Sequence, residues 1–238
     1  MTKPILVMKT GETLALLRAR GEDFEDWIGA GLGLAPGQWT VRCVAQGQAL
    51  PGMNEVAGVV ITGSPAMLTD AAPWNDVAAQ WLREALASEL PVLGICYGHQ
   101  LLAHACGGRV GYHPLGREIG TVPVTLTASA REDLLLGALP VSFPVHTTHS
   151  QSVLQLPASA THLAASDHDS HHAFRVGARA WGVQFHPEFS AEVMRTYIQE
   201  RQQALLDEGL NVEALLRSVQ ETPAASGVLR RFAVLCGK

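Results

Sequence analysis

The sequence predicts an α/β fold, a three-layer sandwich in which helices cover both faces of a central, mostly parallel sheet. Three observations predict it. Strand-like and helix-like segments alternate as βαβαβ through the first hundred or so residues. Two strand-length runs are apolar, Val56–Thr62 continuously so, as suits a strand buried on both faces, and Trp181–Phe185 as a final strand. A Gly-x-Cys-x-Gly turn falls where a buried strand passes into a helix, which puts one helix directly against the sheet.

In chain order, Pro4–Met8 reads as the first strand and Glu12–Leu34 as a helix with a glycine-broken end. Thr40–Ala45 and Val56–Thr62 are the next strands. Asp76–Leu90 carries Val77, Trp81, Leu82, Ala85 and Leu86 at helical spacing. Pro91–Ile95 is a fourth strand, followed at once by a helix over Gln100–Cys106. From about residue 108 to 185 the texture changes to short strands with turn signals, among them Glu118–Leu126, Val153–Leu156 and Ala173–Val176. Helices are expected over Ala191–Leu206, Val212–Val219 and Val228–Leu235. With no repeat or Pro/Ser-rich linker, residues 1–238 read as one domain, of which 191–238 form a helical C-terminal extension.

Composition narrows the function. A chain of 238 residues with 47% hydrophobic and 16% charged residues buries a full core. The net charge of -5 and the lack of any Lys/Arg run exclude phosphate-backbone binding, so no nucleic-acid partner is expected. No window holds the roughly 20 apolar residues that a bilayer span needs, and no membrane partner is expected. The N-terminal run lacks the pattern of a signal peptide, so the expected compartment is cytoplasmic. There Cys43, Cys96, Cys106 and Cys236 are expected as free thiols.

Of these four, Cys96 sits where a thiolate is useful. In Gly94-Ile95-Cys96-Tyr97-Gly98 the flanking glycines remove side chains that would collide in a tight strand–turn–helix. Such a turn pushes the sulfur out at the carboxyl end of the sheet, beside a helix N-terminus that favours the thiolate. The Tyr97 N–H is then a natural oxyanion donor. Most free cysteines are merely small buried hydrophobes; the position of this one argues for a nucleophile.

A thiol nucleophile needs an imidazole to move its proton. His186 directly ends the apolar strand Trp181–Phe185 and is followed by Pro187 and Glu188. Residues 186 and 188 share a face of an extended segment, so the Glu188 carboxylate can reach the His186 ring and fix its tautomer. Both Cys96 and His186 end strands that should share one edge of a parallel sheet.

Gly94-Ile95-Cys96-Tyr97-Gly98-His99-Gln100 and Gly182-Val183-Gln184-Phe185-His186-Pro187-Glu188 together resemble the two signature blocks of class I (triad) glutamine amidotransferases. The nearest variety is the amidotransferase domain of GMP synthetases and its free-standing relatives, and the resemblance covers roughly residues 50–190. It implies the flavodoxin-like fold of that family and a Cys96–His186–Glu188 triad. Thr62-Gly63-Ser64-Pro65 resembles the family's glycine-rich loop, which implies a second oxyanion N–H from Gly63 or Ser64. The family usually has glycine at the position of Ser64. Gln100 resembles a residue that holds the substrate glutamine. His149-Ser150-Gln151 resembles the segment whose backbone meets the substrate's α-amino and α-carboxylate groups. The implied reaction is hydrolysis of the glutamine side-chain amide through a γ-glutamyl thioester, with no cofactor and no metal.

Such domains usually hand ammonia to a synthetase, yet no P-loop or second nucleotide loop follows, so either a separate synthetase subunit accepts the ammonia or hydrolysis itself is the function. A γ-glutamyl peptidase acting on amides with larger leaving groups uses the same triad and is the main alternative. A catalytically silent regulatory module is the second. His168-Asp169-Ser170-His171-His172 reads as a solvated hairpin loop rather than a metal site.

Overall fold

The structure, a computed structural model, describes residues 3–238. In chain order the elements are β1 (Ile5–Lys9), α1 (Ala15–Arg18), α2 (Phe24–Leu32), β2 (Trp39–Cys43), β3 (Gly58–Ile61), α3 (Pro73–Ala87), β4 (Val92–Ile95) and α4 (Tyr97–Ala105). There follow β5 (Arg109–Tyr112), β6 (Glu118–Leu126), β7 (Ser142–His149), β8 (Gln151–Gln155), β9 (Ala160–Ala165), β10 (Ala173–Val176) and β11 (Ala180–Val183). The chain closes with α5 (Ala191–Glu200), α6 (Gln202–Asp207), α7 (Val212–Ser218) and α8 (Pro223–Leu235).

Nine strands form one sheet in the order β2-β1-β3-β4-β11-β10-β9-β6-β7, and β5 pairs with β8 beside it. The pairings from β2 to β11 are all parallel, and those from β11 to β7 are all antiparallel. Alternation along the antiparallel half leaves only β10 and β6 running against the rest. Along β1, Ile5 and Val7 join a core with Ile28 and Leu32 of α2 and Leu229 and Phe232 of α8. Leu6 and Met8 point the other way, into a core with Ala78 and Leu82 of α3 and Leu101 and Leu102 of α4. This is the expected layering of helices on both sides of a sheet.

Several boundaries differ from expectation for local reasons. The helix expected over Glu12–Leu34 is two helices. Gly21 turns at φ +79°, and Asp23 begins α2 afresh with a capping box to Asp26. Helix α3 starts earlier, with Pro73 at its first position. The expected Ala191–Leu206 helix is broken at Arg201 into α5 and α6. Strand β7 carries Pro144, which hides it in the sequence; it lies at the sheet edge, where a missing N–H is tolerated. The C-terminal extension packs onto the sheet. Phe232 and Val228 of α8 are fully buried, and Phe232 meets the Trp181 ring edge-on at 6.5 Å. Phe232→Ala is expected to cost about 3–5 kcal/mol of unfolding free energy in urea titration. A cost below about 1 kcal/mol would show that α8 is only loosely laid on the core.

Candidate active site

The site lies where β3, β4 and β11 end together. The register sets Gly182 opposite Gly94 and Val183 opposite Ile95, and Ile61 opposite Gly94 on the other side. The Cys96 N–H donates to the Val183 carbonyl at 2.9 Å, tying the turn to β11. Cys96 itself adopts φ +50°, ψ −99°, a conformation that costs an L-residue about 1–3 kcal/mol. The two glycines are indispensable to it. A Cβ on Gly94 would lie 2.3 Å from the Gly98 carbonyl oxygen, and one on Gly98 would lie 2.6 Å from that of Ile61. The sulfur faces a cavity and lies 3.9 Å from the Thr148 carbonyl oxygen.

His186 lines the same cavity as Cys96. Its Nδ1 pairs with Glu188 Oε1 at 2.7 Å, while its buried Nε2 has no hydrogen-bond partner among the described residues. The His186 N–H donates to the His146 carbonyl at 2.8 Å, and the imidazole stacks on Phe189 at 4.1 Å. Burial by itself pushes the imidazole pKa down. The negative charges of Glu188 and of a Cys96 thiolate outweigh it and hold the pKa up at about 10.

The third strand end supplies the loop Thr62-Gly63-Ser64-Pro65, pinned by Thr10. The Thr10 hydroxyl donates to the Thr62 carbonyl at 3.0 Å, and the Ser64 hydroxyl to the Thr10 carbonyl at 2.9 Å. A Cβ on Gly63 would come within 3.0 Å of His186 Cε1, so the loop backbone abuts the imidazole. Tyr97 opens α4, so its N–H has no acceptor inside the helix. The Tyr97 side chain turns away and pairs with Asn75 at 2.5 Å.

Comparison with known proteins decides the family. The family model Glutamine amidotransferase class-I matches residues 40–204. The chain belongs to the class-I glutamine amidotransferase family. It is 39% identical over 144 residues to a GMP synthase [glutamine-hydrolyzing] of Aeropyrum pernix, an alignment covering 60% of this chain and 26% of that protein. The chain thus spans about a quarter of the length of the GMP synthases it matches. Gamma-glutamyl peptidase 5 of Arabidopsis thaliana is 31% identical over 201 residues, covering 79% of this chain and 76% of that protein. Among solved structures, a glutamine amidotransferase from Thermotoga maritima superposes with a TM-score of 0.78 at 23% identity, covering 99% of this chain and 98% of that one.

The remaining family positions lie on the other side of Cys96. Gln100, His149, Ser150 and Gln151 line a neighbouring cavity there, of about 80 Å³. The side chains of Gln100, His149 and Gln151 are engaged in hydrogen bonds. Gln100 Nε2 donates to the Gln151 carbonyl at 2.7 Å, and the Gln151 amide spans to Leu68 N–H and the Thr69 hydroxyl. His149 turns its Nε2 to Glu118 at 3.0 Å. Sequence reasoning placed Thr148 in a substrate-facing loop with His149 but missed Phe24, Tyr197 and Arg201, which also line the two cavities. They come from segments that carry no motif, and only the fold brings them to the sheet edge.

The histidine-rich loop is not solvated as expected. Asp169 and His172 are buried, because His172 Nε2 reaches the buried Glu118 carboxylate at 2.7 Å. Glu118, His149 and His172 hold their donor atoms within 4.8 Å of one another, a set of types able to take a divalent cation. Here they satisfy each other. Burial opposes ionisation of Glu118, but hydrogen bonds from the two imidazoles hold its carboxyl far below the usual range.

Two other histidines shape stability against acid. Burial, only partly offset by the charge of Asp169, lowers His99 to about 3. Burial, then the charges of His186 and Arg195, lowers His146 to about 4. Both stay neutral in the fold but take up protons near pH 6.5 when unfolded, so their contribution is present above about pH 6.5 and is lost as pH falls. His186, raised, contributes fully throughout that acid range. The urea midpoint is expected to fall steadily from pH 6.5 to 5, above the carboxylate range. A flat profile there would contradict the burial of His99 and His146.

Proposed function

We propose that the protein hydrolyses the side-chain amide of glutamine, or a larger γ-glutamyl amide, through a thioester on Cys96. The observation that carries this reading is the imidazole of His186. Its Nδ1 is engaged by Glu188 at 2.7 Å, its Nε2 is free, and it shares a cavity with the Cys96 sulfur.

In the first half-reaction the Cys96 thiolate attacks the amide carbon, and the oxyanion takes N–H groups of Tyr97 and of the Gly63–Ser64 loop. The C–N bond breaks as the His186 imidazolium passes its proton to the departing nitrogen, leaving ammonia or an amine and the γ-glutamyl thioester. Water then gives a proton to His186 and attacks the thioester. The C–S bond breaks, glutamate leaves, and the thiolate–imidazolium pair is restored. Backbone at His149, Ser150 and Gln151, braced by Gln100, meets the α-amino and α-carboxylate groups of the glutamyl moiety. Every proton is carried by a protein group, so the steps use neither cofactor nor metal. Residues 1–238 act as one catalytic domain, with 191–238 a helical extension that contributes Tyr197 and Arg201 to the site.

In the glutaminase form of this reading, ammonia passes to a separate synthetase subunit. The γ-glutamyl peptidase form needs no acceptor. The cavity of about 100 Å³ on the His186 side favours it, as does the similarity to Gamma-glutamyl peptidase 5 over most of that protein's length.

A glutamine-mimicking diazoketone is expected to label Cys96 alone, and peptide mapping of the adduct to any other residue would sink the mechanism. Cys96→Ala is expected to lower kcat by at least about 10⁴-fold. Glu188→Gln removes the charge that raises the His186 pKa. Its pH profile of kcat/KM should show the basic limb moving down from near pH 10 toward the ordinary histidine value, with kcat reduced about 10²-fold. An unmoved basic limb would remove Glu188 from the triad.

A further inference from the structure

Cys96 stands between two cavities, and they differ in what they offer a substrate. The one lined by Gln100, His149, Ser150 and Gln151 does not include the imidazole. The other is lined by His186 together with Leu14, Phe24 and Tyr197. On the proposed mechanism the departing nitrogen must meet the proton of His186. The glutamyl moiety therefore occupies the first cavity, and the leaving group extends into the second. A water-sized leaving group such as ammonia needs only about 10–15 Å³ of such space. The second cavity offers about 100 Å³, room for several more heavy atoms.

Arg201 lines both cavities. Its Cζ lies 5.7 Å from the centre of the Tyr197 ring, which holds the guanidinium over the site. The Tyr197 hydroxyl is fixed in turn by Thr13 at 2.6 Å. Among the described residues Arg201 forms no ion pair, and its buried Nε has no hydrogen-bond partner. The other charged groups at the site are already matched. Arg117 makes a two-pronged pair with Glu208, at 2.8 and 2.9 Å, and Glu12 of the second cavity pairs with Arg18 at 2.5 Å. Among the described residues at this mouth, the guanidinium of Arg201 is the charge that makes no direct ion pair, with the Cys96 sulfur and Glu208 acting on it only from a distance. A planar fork with free donors matches a carboxylate, and partial burial strengthens such a pair.

We infer that Arg201 receives the carboxylate of an amino-acid leaving group, so that γ-glutamyl dipeptides with a free α-carboxylate are the preferred substrates. The inference rests on the proposed roles of Cys96 and His186 and names the substrate class of that same site. An amino acid bonded through its nitrogen to the γ-carbonyl carries its carboxylate two atoms beyond the scissile nitrogen. Arg201 is among the residues that line the cavity this leaving group would enter.

The experiment compares γ-glutamylglycine, γ-glutamylglycinamide and glutamine as substrates of the full chain and of Arg201→Gln and Arg201→Lys. The wild-type protein should prefer γ-glutamylglycine over its near-isosteric amide by at least about tenfold in kcat/KM. Arg201→Gln should lose at least about tenfold more on γ-glutamylglycine than on γ-glutamylglycinamide, chiefly through KM. Arg201→Lys should keep part of the preference. Equal wild-type rates on acid and amide overturn the assignment without recourse to any variant. An equal loss on all three substrates in Arg201→Gln also overturns it, because the arginine would then serve the glutamyl moiety or the thiolate. Diazoketone labelling separates this from the parent reading. Cys96 labelled but indifferent to the leaving-group carboxylate sinks only the role of Arg201, whereas no turnover and no label at Cys96 sinks both.

Discussion

The structure depends on a near-contact between two backbones. Helix α4 leaves β4 so abruptly that the Gly98 carbonyl occupies the space of a Gly94 side chain, and Gly98 in turn nestles against Ile61 of β3. No residue with a Cβ fits at either position without pushing strand and helix apart. This closeness fixes the axis of α4 against β3 and β4, forces Cys96 into a positive-φ bend and leaves the Tyr97 N–H at the helix start without an acceptor inside the helix. The register between β4 and β11 carries the arrangement sideways, setting His186 a few residues beyond the strand that pairs with the elbow strand.

Electrostatics at the site is a contest between burial and charge, and the two outcomes sit side by side. His146 and His99 lie in the same interior as His186, yet they are driven toward the neutral form and His186 toward the charged one. The difference is the Glu188 carboxylate at 2.7 Å and the nearby sulfur. A buried imidazole keeps its proton only where a compensating anion is placed against it. The aromatic rings of Phe189 and Phe24 flank the imidazole and hold water away from the pair.

Much of this was legible in the sequence because it is local. Gly94, Cys96 and Gly98 announce a tight turn by their own steric needs, and His186-Pro187-Glu188 announces an oriented imidazole by the two-residue period of extended chain. The βαβαβ order fixed the layering for the same reason. The rest depends on contacts made far along the chain. Strand β7 was hidden by Pro144, which is harmless only because β7 lies at an edge. The burial of His172 required Glu118, 54 residues away, as a partner. Arg201 falls inside the helix expected over Ala191–Leu206, and the break there between α5 and α6 has no signal in its neighbours.

The position of β11 between β4 and β10 has a bearing on how the chain acquires its chemistry. Cys96 and His186 are 90 residues apart in the chain, and the link between them is the pairing of β4 with β11, with the whole antiparallel half of the sheet looped out in between. Pairings that close so long a loop form late in folding. On the proposed mechanism, a chain in which β11 has not yet paired with β4 holds Cys96 without the imidazole that would activate it.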